Sequence, residues 1–382
     1  MRKYFAISLA ALLLTASYFA VLTLNENKNQ VYPFPEDLYV GVTADGNFST
    51  TIRLIDKVKD FTNILIILNP EIVKNKTTLR LVCDHAQESG MTFLVHMSHP
   101  SYWNFNYNPF EWYYEAKERY QENFLGFYLY DEPGGNQLDR GPFREFDNTT
   151  MPHDYRDAAN TYNYYLYVQI RDFIKFDKLV TSDYGLFWFD YEAGYDVIFC
   201  EFGANRPKEI SIPLCRGAAQ LHNKTWGVMI TWTYDNPPYL ETPDQLYNDM
   251  ILAYQTGANY ITVFNYPITG PYGLLNEEYF DAIKKFQNYV INNPRTIISS
   301  NKKIAFVLPE NYGWGMRTPT DNIWGVWDAD NKSQTIWNNL NQVIENYGYT
   351  FDIVYDSYWT RLFAKQHYET LIWWNGTIQQ LF

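Results

Sequence analysis

The chain has 382 residues, 46% hydrophobic and 19% charged, which is enough apolar material for one large domain plus a small one and too much for a disordered chain. Its 43 acidic and 30 basic side chains give a formal charge of −13, which excludes a phosphate-binding nucleic-acid face and a polybasic dock on anionic lipid. Neutral or cationic partners remain.

Arg2 and Lys3 stand before an uncharged, mostly apolar run from Tyr4 to Leu24. At about 1.5 Å per residue, a helix over that run matches the hydrocarbon thickness of a bilayer, and it exceeds the ~7 to 15 residues of a usual signal h-region. Residues 1–30 are therefore expected to form a transmembrane signal anchor and linker, with the two cations kept inside; Thr15-Ala16-Ser17 leaves a cleaved signal peptide as the alternative. Either leader puts the rest outside the cytoplasm, membrane-anchored at the cell surface or secreted. Sequons at Asn47, Asn75, Asn148, Asn223, Asn331 and Asn375 fit an extracellular glycoprotein. Of the three cysteines, Cys83 reads as a small buried thiol on a helix face, while Cys200 and Cys215 could bridge or stay free.

Beyond the linker, apolar strand-like runs alternate with amphipathic helical stretches eight times. Strands are expected over 38–43, 63–68, 91–95, 124–130, 178–182, 195–200, 225–231 and 259–264. Eight βα units make a closed (β/α)8 TIM barrel, here over 31–298, more readily than an open sheet. Ser49 or Thr50 can cap a helix running to Val58, Gly90 follows one containing Leu79, Leu81 and Val82, and Pro294 stops the last. The fifth unit has little room for a helix and is expected to be distorted. After Lys302 the pattern restarts with a strand over 304–308, a helix over 333–347, and strands over 351–355 and 370–374. That is a small partial α/β accessory domain, 299–382, expected to pack on the barrel. Its first turn, Pro309 to Arg317, lacks Gly-x-Gly-x-x-Gly, so a nucleotide has no support.

In a barrel of this kind the carboxyl ends of the strands converge on one face, where ligands bind. Phe124-Leu125-Gly126-Phe127-Tyr128-Leu129-Tyr130 runs into Asp131, Glu132 and a Pro-Gly-Gly turn, and Val197-Ile198-Phe199-Cys200 runs into Glu201. Two facing carboxyl groups can divide glycoside cleavage between them, one protonating the leaving oxygen, the other attacking carbon or activating water. Glu132 and Glu201 are the expected catalytic pair. Asp45, His96, Trp103, Asp131, Asp183, Trp232, Tyr234 and Tyr266 follow the strands and are expected to bind sugar, the flat rings suiting the apolar faces of pyranoses. His96 and His99 raise a metal-dependent alternative with Asp45, Asp131 or Asp183, but His-x-x-His across a strand end points the rings apart. No metal or cofactor is therefore expected.

Tyr130-Asp131-Glu132-Pro133 at the fourth strand resembles the retaining (β/α)8 glycoside hydrolases in which that strand ends in Asn-Glu-Pro. The resemblance implies that Glu132 is the acid/base. Asp131 stands where that clan has the asparagine contacting the sugar 2-hydroxyl, and the seventh strand ends Thr231-Trp232-Thr233-Tyr234-Asp235 without the nucleophilic glutamate. A pairing of strands four and six is more similar to α-galactosidase-type barrels. The C-terminal segment is similar to the flavodoxin-like domain of some β-galactosidases. The expected protein is an extracytoplasmic glycoside hydrolase acting on an oligo- or polysaccharide, possible as a homo-oligomer. The alternative from another class is a non-catalytic glycan-binding or envelope-associated barrel, favoured by the missing seventh-strand glutamate.

Overall fold

The computed structural model describes residues 34–140, 151–176, 178–203, 206–231, 241–266, 270–295 and 303–381. The N-terminal apolar run, the sequon at Asn148, and Trp232 and Tyr234 lie outside the described residues. Among the described residues no helix is long and apolar enough to cross a membrane.

Eight parallel strands close into a barrel in sequence order: β1 (Tyr39–Ala44), β2 (Ile64–Ile67), β3 (Thr92–Met97), β4 (Phe124–Leu129), β5 (Lys178–Asp183), β6 (Val197–Phe202), β7 (Thr225–Ile230) and β8 (Tyr260–Val263). β8 pairs back onto β1, with Tyr39 against Tyr260. These strands are apolar on both faces because both are covered. Ile64, Ile66, Leu94, Val180, Val197, Phe199 and Met229 fill the barrel interior, while alternate residues such as Ile198 and Cys200 join the core under the helices. The fifth unit is short, as expected: its helix spans only Phe187–Ala193 and is entered through Leu186 at φ 54°.

Helix boundaries differ in instructive ways. The first described helix, Phe48–Val58, is capped by Asn47, whose side chain accepts from the Thr50 amide at 3.0 Å, not by Ser49 or Thr50. Asn75 caps Lys76–Glu88 in the same way, through the Thr78 amide. Capping thus gives both of these Asn-X-Ser/Thr sites a local structural role. Leu79 and Val82 face the core, but Leu81 is 51% exposed, because it lies on the far side of the helix from Leu79, Cys83 and Ala86. All three cysteines are buried and free, with the Cys200 and Cys215 thiols in hydrogen-bond contact.

The C-terminal segment forms a second sheet ordered β10-β9-β11-β12, from β9 (Ile304–Leu308), β10 (Phe351–Tyr355), β11 (Thr370–Trp373) and β12 (Ile378–Gln380). β9 pairs in parallel with both β10 and β11, and β12 closes an antiparallel hairpin. Arg216, on the helix Lys208–Leu221 that follows β6, fastens this sheet to the barrel. Its buried guanidinium meets Asp352 at 2.6 Å and donates to the Phe351 and Tyr349 carbonyls at 2.6 and 2.9 Å. Gly217 permits the approach, since a β-carbon there would lie 2.4 Å from the Ile353 carbonyl oxygen.

Candidate active site

Strand periodicity builds the floor of the site. On β6, Val197 and Phe199 point into the barrel, so Glu201 does too; on β5 the same parity carries Ser182, and on β3 it carries His96. At the carboxyl end of the barrel, Ser182 Oγ lies 2.9 Å from Glu201 Oε1, 3.0 Å from Asp131 Oδ1 and 2.7 Å from the Tyr128 hydroxyl. Tyr128 also makes a short hydrogen bond to Asp131. A hydroxyl has one proton to give. With Tyr128 donating to Asp131, the single Ser182 proton faces three acceptors, the Tyr128 oxygen, Asp131 and Glu201.

The turn that brings Glu132 to Glu201 is strained and stapled. Tyr130 and Glu132 both sit at φ 51°, a left-handed conformation that costs a non-glycine residue about 1–3 kcal/mol unless its surroundings impose it. Two sets of hydrogen bonds impose it here. The Glu132 amide donates to the Ser182 carbonyl at 3.0 Å. Asp183 accepts from the amides of Gly134 at 2.5 Å, Gly135 at 2.8 Å and Tyr184 at 2.6 Å. Both glycines are required: β-carbons would lie 2.4 Å from the Gly185 carbonyl oxygen and 2.1 Å from the Tyr184 ring. Asp183 therefore corrects the expectation of a sugar ligand. It is fully buried, and its oxygens hold the start of the helix Pro133–Arg140 in place. Burial pushes its carboxyl up to about 7 against the pull of those amides, and its buried neighbour Asp190 is raised well above the carboxylate range by burial and by the charge of Asp183.

Glu132 and Glu201 are brought close enough for their carboxyl groups to interact. Neighbouring carboxylates resist ionising together. Burial is the first cause raising each of them. The charge of Asp131 adds to it at Glu132, and those of Glu132 and Asp131 add to it at Glu201. Opposing this, Arg206 Nη1 reaches Glu201 Oε2 at 3.2 Å. Glu201, 5% exposed, is raised well above the carboxylate range, and half-buried Glu132 is raised with it, although its contact with Glu201 favours the ionised form of Glu132. Arg206 and Ser182 are the neighbours that favour a carboxylate at Glu201.

The other expected residues are distributed unevenly. His96 hydrogen-bonds the Leu68 carbonyl through Nδ1 at 3.1 Å, which puts its proton there and leaves Nε2 as an acceptor; burial lowers its basicity, so it is neutral. Its ring meets Trp103 edge-on at 4.9 Å, and both line a cavity of about 260 Å³ with His99, Tyr102, Tyr130 and Gln169. His99 turns away to Ser101 and Asp172, at 2.6 and 3.3 Å, so the two histidines do not converge. Among the described residues no group of three or more histidine, cysteine or acidic side chains is arranged to hold a metal ion. Asp45 ends β1 half-buried, and burial raises its carboxyl to about 6. Tyr266, past β8, is half-buried and packs near Phe264 at 6.3 Å. Ser182, Tyr128 and Arg206 were missed from sequence. Parity along β5 from Val180 could have found Ser182, whereas Arg206 had only its nearness to Glu201 in the chain.

No known family's sequence pattern and no curated protein matches the chain. Solved structures similar to it include α-L-fucosidase isoenzyme 2 from Paenibacillus thiaminolyticus, at 13% identity over 87% of this chain and 59% of that one, with a TM-score of 0.50. An endo-β-1,4-mannanase from Thermotoga petrophila is 10% identical over 69% of this chain and 78% of its own, with a TM-score of 0.44. A family 1 β-glucosidase from Thermotoga maritima is 12% identical over 69% and 99%, with a TM-score of 0.39. The fucosidase likeness shows the fold: this chain is built on the (β/α)8 barrel, and its chemistry has to be argued from its own side chains.

Proposed function

We propose that this protein is a glycoside hydrolase acting outside the cytoplasm on an oligo- or polysaccharide, with Glu132 as general acid and Glu201 as nucleophile or base. The observation that carries the reading is the placing of Glu132 beside Glu201 at the carboxyl end of the barrel, with Ser182 and Arg206 on Glu201. Protonation of a leaving oxygen needs a carboxylic acid that stays neutral near pH 7, and burial beside like charges supplies one. The second step needs a carboxylate, and Arg206 and Ser182 favour that form of Glu201 against its burial. A fucosidase of like fold agrees with the substrate class.

Retaining glycosidases hold the two carboxyl groups roughly 5–5.5 Å apart and inverting ones roughly 6.5–9.5 Å. A glycoside entering the site has to come between the carboxyls with the proton on Glu132. The bound separation then sets whether Glu201 attacks carbon or activates water. The cavity beside Tyr130, lined by Trp103 and Tyr102, offers flat rings to an adjoining sugar. The N-terminal apolar run is proposed as the export signal or anchor.

The Arg206–Glu201 ion pair favours one other reading, a barrel that binds glycans with Glu201 neutralised and performs no cleavage. Incubating the whole chain, then a Glu132→Gln and Glu201→Gln double variant, with a panel of oligosaccharides separates them. Product release by the native chain alone supports hydrolysis. Binding without release, unchanged in the double variant, overturns it.

A further inference from the structure

The loop between β9 and the helix Asn331–Tyr347 lies far from the catalytic pair in sequence, yet it grips the short helix Pro133–Arg140 that starts beside Glu132. Gln137 Nε2 donates to the Trp324 carbonyl at 2.8 Å, and Gly325 comes so near that a β-carbon would lie 2.2 Å from the Gln137 carbonyl oxygen. At the end of the same helix, Arg317 forms an ion pair with Asp139. Asp139 also accepts from the Tyr184 hydroxyl, and the face of the Tyr184 ring carries the Arg206 guanidinium 3.4 Å from its centroid. Arg206 is the cation on Glu201. Contacts therefore run without a break from Arg317 through Asp139, Tyr184 and Arg206 to Glu201.

Each link is held in place. Arg317 is fixed by Asp321, with Nε–Oδ2 at 2.7 Å and Nη2–Oδ1 at 2.8 Å. Gly315 leaves room for that carboxylate, since a β-carbon there would sit 2.1 Å from Asp321 Oδ2. Asp139 is held ionised by Tyr184 and Arg317 against the effect of burial. Tyr184 is buried between Gly135 and the Arg206 guanidinium. The forked guanidinium spans two carboxylates in fixed geometry, which a lysine cannot reproduce.

We propose that Arg317 is a positioning residue for the carboxyl pair: it sets Asp139 and Tyr184, and through them the guanidinium of Arg206 on Glu201, so that the 309–330 loop is a structural part of the active site. This rests on the reading of Glu132 and Glu201 as the reactive pair. The C-terminal sheet then aligns the site; it is not a passive appendage.

The test is the titration of the pair itself, followed by NMR of side-chain carboxyl carbons in the full chain labelled at glutamate, with signals assigned from Glu132→Gln and Glu201→Gln. Arg317→Lys keeps the charge and loses the fork, and Tyr184→Phe cuts the chain midway without touching the C-terminal loop. In both, the lower titration of the pair should move to higher pH by half a unit or more, and the acidic limb of any hydrolytic pH profile should move with it. An unmoved titration in either folded variant overturns the proposal, as does a shift in Arg317→Met that Arg317→Lys does not share, which would reduce Arg317 to a distant charge. The two readings fail separately. A native chain that cleaves no glycoside but whose titration moves in the variants loses the hydrolase reading and keeps the positioning chain; the converse result keeps hydrolysis and removes Arg317.

Discussion

Replacing Arg206 by methionine isolates the electrostatic control of Glu201. The guanidinium lies 3.2 Å from the carboxylate and both side chains are nearly buried, at 11% and 5% exposure. Unit charges that close interact by about 5 kcal/mol at an effective dielectric near 20, equivalent to between about three and four pH units at about 1.4 kcal/mol per unit. Water entering the space vacated by the guanidinium and the retained Ser182 hydrogen bond recover part of this, so a net rise of about two units is expected in the ionisation of the pair. The carboxylate form of Glu201 is needed for turnover, so the acidic limb of kcat/KM against pH should move up by that amount and activity at neutral pH should fall at least tenfold. The assay is a pH profile from 4 to 9 on the best aryl glycoside, with circular dichroism confirming the fold. An acidic limb that does not move refutes the reasoning. A rise in turnover would mark Arg206 as the group that silences Glu201, and the glycan-binding reading would take its place.

Three further outcomes follow from the same geometry. Arg216→Met removes one partner of a buried ion pair and strands Asp352 against the barrel, so urea denaturation should show a loss of about 3–5 kcal/mol; a change under 1 kcal/mol would show the C-terminal sheet is held otherwise. Asp183 is raised in the fold to about 7, so the folded state binds more protons than the unfolded one and the stability from this group falls as pH rises from about 4 to about 7. Melting temperature measured across that range should decline more steeply in the native protein than in Asp183→Asn, and parallel curves would contradict the assignment. Gly135→Ala puts a methyl 2.1 Å from the Tyr184 ring, and the ring cannot withdraw without releasing Arg206; turnover should drop at least tenfold with a smaller change in KM, whereas unchanged kinetics would show the turn adapts freely.

The barrel was legible because buried parallel strands are continuous apolar runs, and each of the eight expected runs overlaps a strand. Glu132 and Glu201 were legible for the same reason, since an apolar run that stops on a carboxylate marks a strand end. Asp183 was misread because its partners are backbone amides of residues 134 and 135, and amides leave no trace in side-chain pattern. The Asn47 cap was hidden inside a sequon. Trp314 and Trp324 are buried; Trp324 packs on Phe189 at 4.5 Å and supports the helix after Glu132 through its carbonyl. Arg317 and Arg206 were invisible as a pair because only the folded chain brings residues 139, 184, 206 and 317 together.

The central claim, that Glu132 donates a proton to the leaving oxygen, is tested most directly by the dependence of Glu132→Gln kinetics on the leaving group. A leaving group that departs readily as an anion needs no acid, while an alkyl alcohol does. Across glycosides of one sugar, the variant should keep most of the native rate of glycosidic bond cleavage for a dinitrophenyl leaving group and lose about two to four orders of magnitude for an alkyl one. An equal loss for both, or none for either, would contradict the role given to Glu132 and with it the account of this site.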